Sequence, residues 1–337
     1  MRKLLYLIPV VVLLFTACEV EFSPNASWKN VPVVYCLLDQ DDDTTWVRVQ
    51  RCYLAEDNIY NYGQNSDSIN YPHGAITVSL LAYENGTQKD SMAFEYTTRD
   101  RDTGNFASTA QPLYFFRTKN RLKENYTYVL TIRNAADNAI LATTDPISLI
   151  KQTNANLITK PTVTVYNGDT LSGGLDFYDP MGNNMLGCQI KWNHLENARL
   201  YQPFVRFYYK RSDSVLYHAD FMCPKVSSKY SEVYYSRDLF LDQIRNYFAG
   251  DTTRKLFVPR VDMYLTCCSE DLNAYLNTVS NTGDIAQSTE VYNNIKGGVG
   301  VFAARRTHLF KRMPANADMT PNRGLLYFLV QLNLGFY

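Results

Sequence analysis

Leu122-Lys123-Glu124-Asn125-Tyr126-Thr127-Tyr128-Val129-Leu130 decides the fold class of this chain. From Tyr126 to Arg133 the residues alternate, with Tyr126, Tyr128, Leu130 and Ile132 on one side and Thr127, Val129, Thr131 and Arg133 on the other. A period of two is the signature of a strand with one face on a core. Leu122 lies six residues ahead of Tyr128, so an apolar side chain sits just outside the strand where the chain turns into it. An ordinary aromatic strand residue would show the same alternation; the leucine spacing favours a structured corner.

Outward from this stretch the chain keeps the same grammar of short strands and turn clusters. Val33–Leu38 is followed by Asp39-Gln40-Asp41-Asp42-Asp43 and then by Trp46–Gln50. Ile76–Tyr83 and Met92–Tyr96 flank Glu84-Asn85-Gly86-Thr87, where Asn-Gly marks a tight hairpin. Leu113–Thr118 and Ala139–Thr144 complete a first unit, interrupted by a long Asn- and Tyr-rich loop from Ala55 to Gly74. A second unit starts near Lys160-Pro161. Thr162–Tyr166 and Thr170–Tyr178 bracket Asn167-Gly168, and Ile190-Lys191-Trp192, Val205–Tyr209 and Leu256–Tyr264 read as strands. Ser236 and Ser269 are expected to cap two helices. Their stripes, Phe240, Ile244, Tyr247 and Phe248 on one and Leu272, Tyr275, Leu276 and Val279 on the other, are expected to be core contacts. Leu325–Tyr337 is expected to be a final strand packed on the second unit.

The Leu122–Tyr128 spacing resembles the corner of fibronectin type III and related immunoglobulin-like sandwiches, where a tyrosine hydroxyl bonds back to the backbone just upstream. The predicted fold class is therefore mainly β. Two tandem immunoglobulin/fibronectin-III-like β-sandwich domains are expected, at 31–146 and 158–337, the second with two inserted helices, joined by a linker at 147–157.

The start of the chain supplies an address. Arg2 and Lys3 precede an apolar run of about 12 residues, which suits a signal peptide and falls short of the roughly 20 needed to span a bilayer. Thr16-Ala17-Cys18 then resembles the lipobox of bacterial lipoproteins, with Phe15 where leucine is most usual. The reading is a signal peptide at 1–17, a lipid on Cys18 and a tether at 18–30. Two or more acyl chains make stable anchoring. The alternative is an ordinary cleaved signal with an incidental cysteine. Glu19 and Glu21 after the cysteine resemble, in weak form, the surface-export signal of Bacteroidota lipoproteins.

Composition narrows the classes. Lys plus Arg and Asp plus Glu balance at 33 each, so a nucleic-acid partner has no electrostatic footprint. Tyrosine is abundant, at 26 residues, which suits strands and half-apolar surfaces. Besides Cys18 there are Cys36, Cys52, Cys188, Cys223, Cys267 and Cys268, without a C-x-x-C pair or zinc spacing. Export permits disulfides, but buried free thiols are favoured.

Several stretches look like a family of Bacteroidota cell-envelope lipoproteins, domain-of-unknown-function 4249. They include Val33–Asp39, Val47–Leu54, Asp67–Pro72, Asn197–Tyr201, Ser269–Tyr275 and Tyr292–Phe302. Cys36 and Cys52 depart from the small residues expected there. The resemblance implies an envelope lipoprotein and lends no catalytic residues.

No motif for chemistry survives inspection. Gly298-Val299-Gly300-Val301-Phe302-Ala303 matches G-x-G-x-x-A but lacks the βαβ setting of a dinucleotide site; a tight backbone turn beside a sheet is the better reading. Asp39, Asp41 and Asp43 open like a calcium loop but lack its later glycine and glutamate, leaving a solvated hairpin tip as the expectation. His73, His194, His218 and His308 stand alone. Neither a catalytic residue nor a metal site nor a cofactor is assigned.

Asp followed by Ser or Thr and a small or aliphatic residue resembles the Bacteroidota O-glycosylation acceptor. It occurs at Thr44, Ser68, Ser91, Thr170, Ser214 and Thr252, against roughly one match expected by average usage. The alternative is that Asp-Ser/Thr merely forms turns.

The function expected is a non-enzymatic outer-membrane lipoprotein, held to the membrane by its lipid and binding a protein partner of an envelope assembly. Tyr60, Tyr62 and Tyr71 of the long loop are the candidate binding residues. The alternative is a glycan or nutrient binder whose tyrosines stack on sugars.

Overall fold

The computed structural model describes residues 29–54, 58–102, 104, 106–119, 121–151, 164–165, 187–280, 292–314 and 325–337. The first half runs β1 (Pro32–Asp39), β2 (Thr44–Arg51), α1 (Ile59–Gln64), α2 (Ser66–Ile69), β3 (Ile76–Glu84), β4 (Thr87–Ala93), β5 (Glu95–Arg99), β6 (Gln111–Arg117), β7 (Thr127–Asn134), β8 (Ile140–Thr144) and β9 (Ile147–Ser148). The second half runs β10 (Thr164–Val165), β11 (Gly187–Lys191), β12 (Leu200–Lys210), β13 (Leu216–Met222), β14 (Val226–Ser227), β15 (Glu232–Ser236), α3 (Arg237–Tyr247), β16 (Leu256–Cys268), α4 (Glu270–Ser280), β17 (Ile295–Lys296), β18 (Val299–Pro314) and α5 (Leu325–Gln331).

The chain is mainly β and built as sandwich-like sheets. In the first half β1, β2, β6 and β5 form one layer, and β8, β7, β3 and β4 face it, with β9 beside β7. Val34, Leu38, Val47, Val49, Leu80 and Tyr128 fill the space between them with no exposed surface. The corner forms as expected: the backbone N–H of Lys123 donates to Tyr128 Oη at 2.6 Å, and that hydroxyl donates to Lys123 O at 3.2 Å. Asn85 and Gly86 both take positive φ, 49° and 77°, as the two-residue hairpin requires. Met92–Tyr96, expected as one strand, changes sheets at Phe94: β4 pairs with β3, whereas β5 pairs with β6. The loop expected over 55–74 contains α1 and α2, started by Asn58 and Asn65 side chains that accept from backbone N–H groups.

In the second half β13, β12 and β16 form the large layer and the β10-β11-β15 sheet is its smaller counterpart. A second corner occurs here: the N–H of Leu195 donates to the hydroxyl of fully buried Tyr201 at 2.8 Å. Leu195 and Tyr201 repeat the six-residue spacing of Leu122 and Tyr128. Both expected helices form, as α3 and α4. Ser236 Oγ accepts from Leu239 N at 3.1 Å, whereas Ser269 Oγ reaches across to accept from Ala304 N at 3.2 Å.

The division expected at 147–157 does not separate self-contained sheets. β18 pairs in parallel with β1 from Val299 to Arg305, then antiparallel with β16 from Arg305 onward. β17, just upstream, pairs with β8 in the opposite layer. One chain segment thus closes two edges of the first sandwich and continues into the second, so a nine-stranded sheet runs through both halves. Unpaired edge N–H and C=O groups drive such closure. Residues 152–157 of the expected linker, the Asn167-Gly168 hairpin and residues 1–28 lie outside the described residues.

The terminal strand expected over Leu325–Tyr337 is corrected: Leu325–Gln331 is helical, with Leu325 and Leu329 fully buried one helical turn apart. Every residue from Leu325 to Val330 is apolar, so periodicity alone could not separate helix from strand. Asn333 and Gly335, with φ of 54° and 79°, end the helix and turn the chain. Only Phe336 pairs with a strand-like neighbour, Lys255.

Lys255 pins that tail. Its fully buried Nζ donates to the carbonyls of Asp251, Thr253 and Leu334 at 2.8, 2.8 and 2.9 Å and lies 3.1 Å from the Asp251 carboxylate. Lys255→Met keeps the length but removes the donor of three carbonyls, while the Asp251 carboxylate keeps Arg211 and Thr253. A loss of about 3 kcal/mol is expected, read as a lower urea midpoint together with early proteolysis of the C-terminal tail.

Candidate functional site

β1 carries the first clue. Val34, Cys36 and Leu38 face inward and are buried, but Val33, Tyr35 and Leu37 on the opposite face are apolar too. A sheet strand apolar on both faces needs a cover on each. The outer cover is partial. Leu272 of α4 clusters with Val301 and Ala303 of the neighbouring β18 and with Tyr35 and Leu37 of β1, and the Tyr35 and Tyr275 rings meet edge-on at 6.2 Å. Beyond α4 the outer face of β1 and β2 opens as the floor of a groove of about 980 Å³.

One wall is Leu272, Tyr275 and Leu276 of α4; the other is Tyr53, Ile59 and Phe106. The floor includes Tyr35, Leu37, Trp46 and Leu113. Trp46 is held by Phe115 at 5.3 Å and by the Arg99 guanidinium 4.0 Å over its ring. Tyr53 and Tyr62 stack with planes 4° apart and centroids at 6.3 Å. The helix stripe expected to be wholly core is therefore split: Leu272 is buried, Leu276 is 36% exposed and Val279 46% exposed. α4 presents an apolar edge to the groove.

Arginines set the electrostatics. Arg48, Arg51, Arg101 and Arg305 line the groove, with Asp42 as the lining carboxylate. Arg305 is neutralised by Asp39 at 3.0 Å and Asp42 at 3.3 Å. Arg51 Nε donates to Ser68 O at 3.2 Å, and Arg51 also donates to Asp67 O. Cys36 and Cys52 also line the site. Burial raises the pKa of both thiols, which disfavours the thiolate a nucleophile needs. Cys36, Cys52, Cys267 and Cys268 are free thiols. The side chain of Cys188 lies outside the described residues. No group of three or more potential metal ligands occurs among the described residues. No helix among them is long and apolar enough to cross a membrane.

The aspartate turn is corrected in role. Asp41, Asp42 and Asp43 are exposed at the hairpin tip as expected, but Asp39 at its base is 2% exposed, and the turn is also a docking point. Arg306 Nε donates to Asp41 at 3.0 Å, and Arg306 Nη1 to Glu124 at 2.8 Å and to Ile150 O at 3.3 Å. Gln40 bonds the same Glu124 and the same carbonyl, at 2.9 and 3.0 Å. His308 Nδ1 lies 3.9 Å from Asp41, and burial lowers its pKa. The groove and this junction share Arg305 and Asp42, so the site is assembled from both halves.

The three candidate loop tyrosines do not converge. Tyr71 is a core residue, 6% exposed, whose hydroxyl donates to Asn30 at 2.6 Å. Tyr62 is half-buried on Tyr53, and Tyr60 is exposed. What the loop contributes instead is Ile59 and the support of Tyr53, whose hydroxyl donates to Ile59 O at 3.1 Å. Among the candidate acceptor hydroxyls, Ser91, Ser214 and Thr252 are exposed, while Ser68 is half-buried in α2. Thr44 is half-buried at the groove, accepting from Arg117 at 3.2 Å. Thr170 and the candidate lipidation residue Cys18 lie outside the described residues. The glycine-rich stretch leads into β18, not a helix, as the turn reading expected.

No protein-family model matches the chain, and no curated protein matches it. One solved structure, titled a cytokine receptor complex in crystal form 1A, aligns over 83% of this chain and 95% of its own at 8% identity and a TM-score of 0.23, too distant to carry any argument.

Proposed function

We propose that this protein is a non-enzymatic, lipid-anchored binding module of the bacterial outer membrane, and that the groove docks a protein partner of an envelope assembly. The groove carries the reading: its Trp, Tyr and Arg lining is the composition of protein-interface hot spots. An open trough walled by an apolar helix edge suits a polypeptide better than a sugar, because Tyr35 and Tyr275, which line it, meet edge-on at 69° rather than offering parallel faces. The lipobox-like Thr16-Ala17-Cys18 and the resemblance to Bacteroidota envelope lipoproteins support the anchor.

The test has two arms in living cells. An alkyne fatty acid should label the wild-type chain and not Cys18→Ala, which should leave the membrane fraction. A photo-crosslinking amino acid at Leu276 should give a discrete adduct that the same group at Val215, exposed on the remote β12–β13 turn, does not give. Equal adducts at both positions, or an unlabelled wild-type chain, would overturn the reading.

A further inference from the structure

The groove concentrates uncompensated positive charge in a chain that is otherwise balanced, with 33 basic and 33 acidic residues. Asp42 is already engaged by Arg305 at 3.3 Å. Arg48 is exposed, and neither it nor Arg101 forms an ion pair among the described residues. The guanidinium of Arg51 is oriented by the carbonyls of Ser68 and Asp67, which are neutral acceptors and leave its charge unbalanced. Among the described residues, three guanidinium groups therefore line the groove with no carboxylate paired to them.

We infer that the groove takes an extended acidic segment of the partner, in which carboxylates are interspersed with aliphatic or aromatic side chains. The inference rests on the reading that this groove docks a protein. Geometry supports the extended form. The floor follows β2 from Thr44 to Gln50, a run of roughly 20 Å at about 3.3 Å per residue, room for six or seven extended residues. Along such a segment side chains alternate in direction. The set turned to the floor meets Trp46 and Tyr35 together with Arg48, which shares that face and lies opposite Tyr35 in the register, so ring-packing side chains and carboxylates fall within one set at two-residue spacing. Guanidinium groups pair carboxylates through two parallel hydrogen bonds, and a site shielded by aromatic walls strengthens them. A nucleic acid would need a longer basic track than three arginines.

The full lipidated chain in detergent micelles, panned against a random octapeptide library, tests the idea. Peptides bearing two or more Asp or Glu among Trp, Phe, Leu or Ile should be enriched. Their affinity should fall at least tenfold in Arg48→Gln/Arg101→Gln, a surface change with an unaltered thermal melt. Arg48→Glu/Arg101→Glu should turn the enrichment toward Lys- and Arg-bearing peptides. Enrichment without carboxylates, affinity indifferent to the double neutralisation, or displacement of the peptides by hexagalacturonate or an oligodeoxythymidylate at lower concentration would each overturn it. Acid-free peptides combined with a Leu276-specific adduct in cells would sink the acidic ligand and leave protein docking standing. Failure of both would sink both.

Discussion

Gly300→Ala is expected to destabilise the protein by at least about 4 kcal/mol, the range reserved for a small set of severe mechanisms. Gly300 holds φ at +128° where β18 begins to pair with β1, and an added Cβ would stand 1.9 Å from Val34 O, 2.9 Å from Val34 C and 3.0 Å from Val34 N. No side-chain rotation relieves a clash with backbone, so the two strands must separate. Their register runs from Val33↔Val299 to Asp39↔Arg305, and all of it depends on this approach. The substitution also forces alanine into a backbone region it rarely adopts. Gly104→Ala is the matched control, since nothing lies within 4 Å of its added methyl. A urea denaturation series should place Gly104→Ala within about 0.5 kcal/mol of wild type. An unchanged midpoint for Gly300→Ala would show that β1 and β18 do not pair this way.

Arg306→Ala carries the second large effect. The side chain is 11% exposed and serves Asp41, Glu124 and the Ile150 carbonyl at once. Truncating it leaves two carboxylates facing each other across the junction without their cation, at an expected loss of about 3–5 kcal/mol. Arg306→Lys should recover less than half of that, because an ammonium lacks the planar fork that reaches Asp41 and Glu124 together. A double-mutant cycle with Glu124→Gln should give a coupling of at least about 1 kcal/mol. Additive effects would mean that Arg306 and Glu124 act independently. Because Arg305 and Asp42 lie beside this cluster and line the groove, Arg306→Ala should also weaken the Leu276 crosslink, whereas Gly104→Ala should not.

Much of the fold was legible locally. The Leu122–Tyr128 spacing led to a real corner, and Asn85-Gly86 to a real hairpin, because both are decided within a few residues by backbone sterics and short hydrogen bonds. The Leu195–Tyr201 spacing carried the same message and could have been found by the same rule. The floor of the groove also left a trace, in a β1 run apolar at every position from Val33 to Leu38. Its walls left none that could be weighed: Leu272, Tyr275 and Leu276 read as a buried stripe because periodicity says that one helix face is apolar, not how much of it is covered. The candidate loop tyrosines were placed together by sequence proximity, and packing then sent Tyr71 inward and Tyr60 outward.

By itself the sequence determined the strand grammar, the Leu122–Tyr128 corner, the Asn85-Gly86 hairpin turn and the two mid-chain helices, since each is set by alternation, capping or turn chemistry over short distances. Tertiary structure alone decided that β18 joins β1 across 266 residues, that Asp41 meets Arg306, that Lys255 is buried beneath carbonyls, and that Leu325–Gln331 is a helix. Those outcomes depend on which edge groups and charges find one another once the layers close. Partners so far apart in the chain leave no periodic mark in either segment.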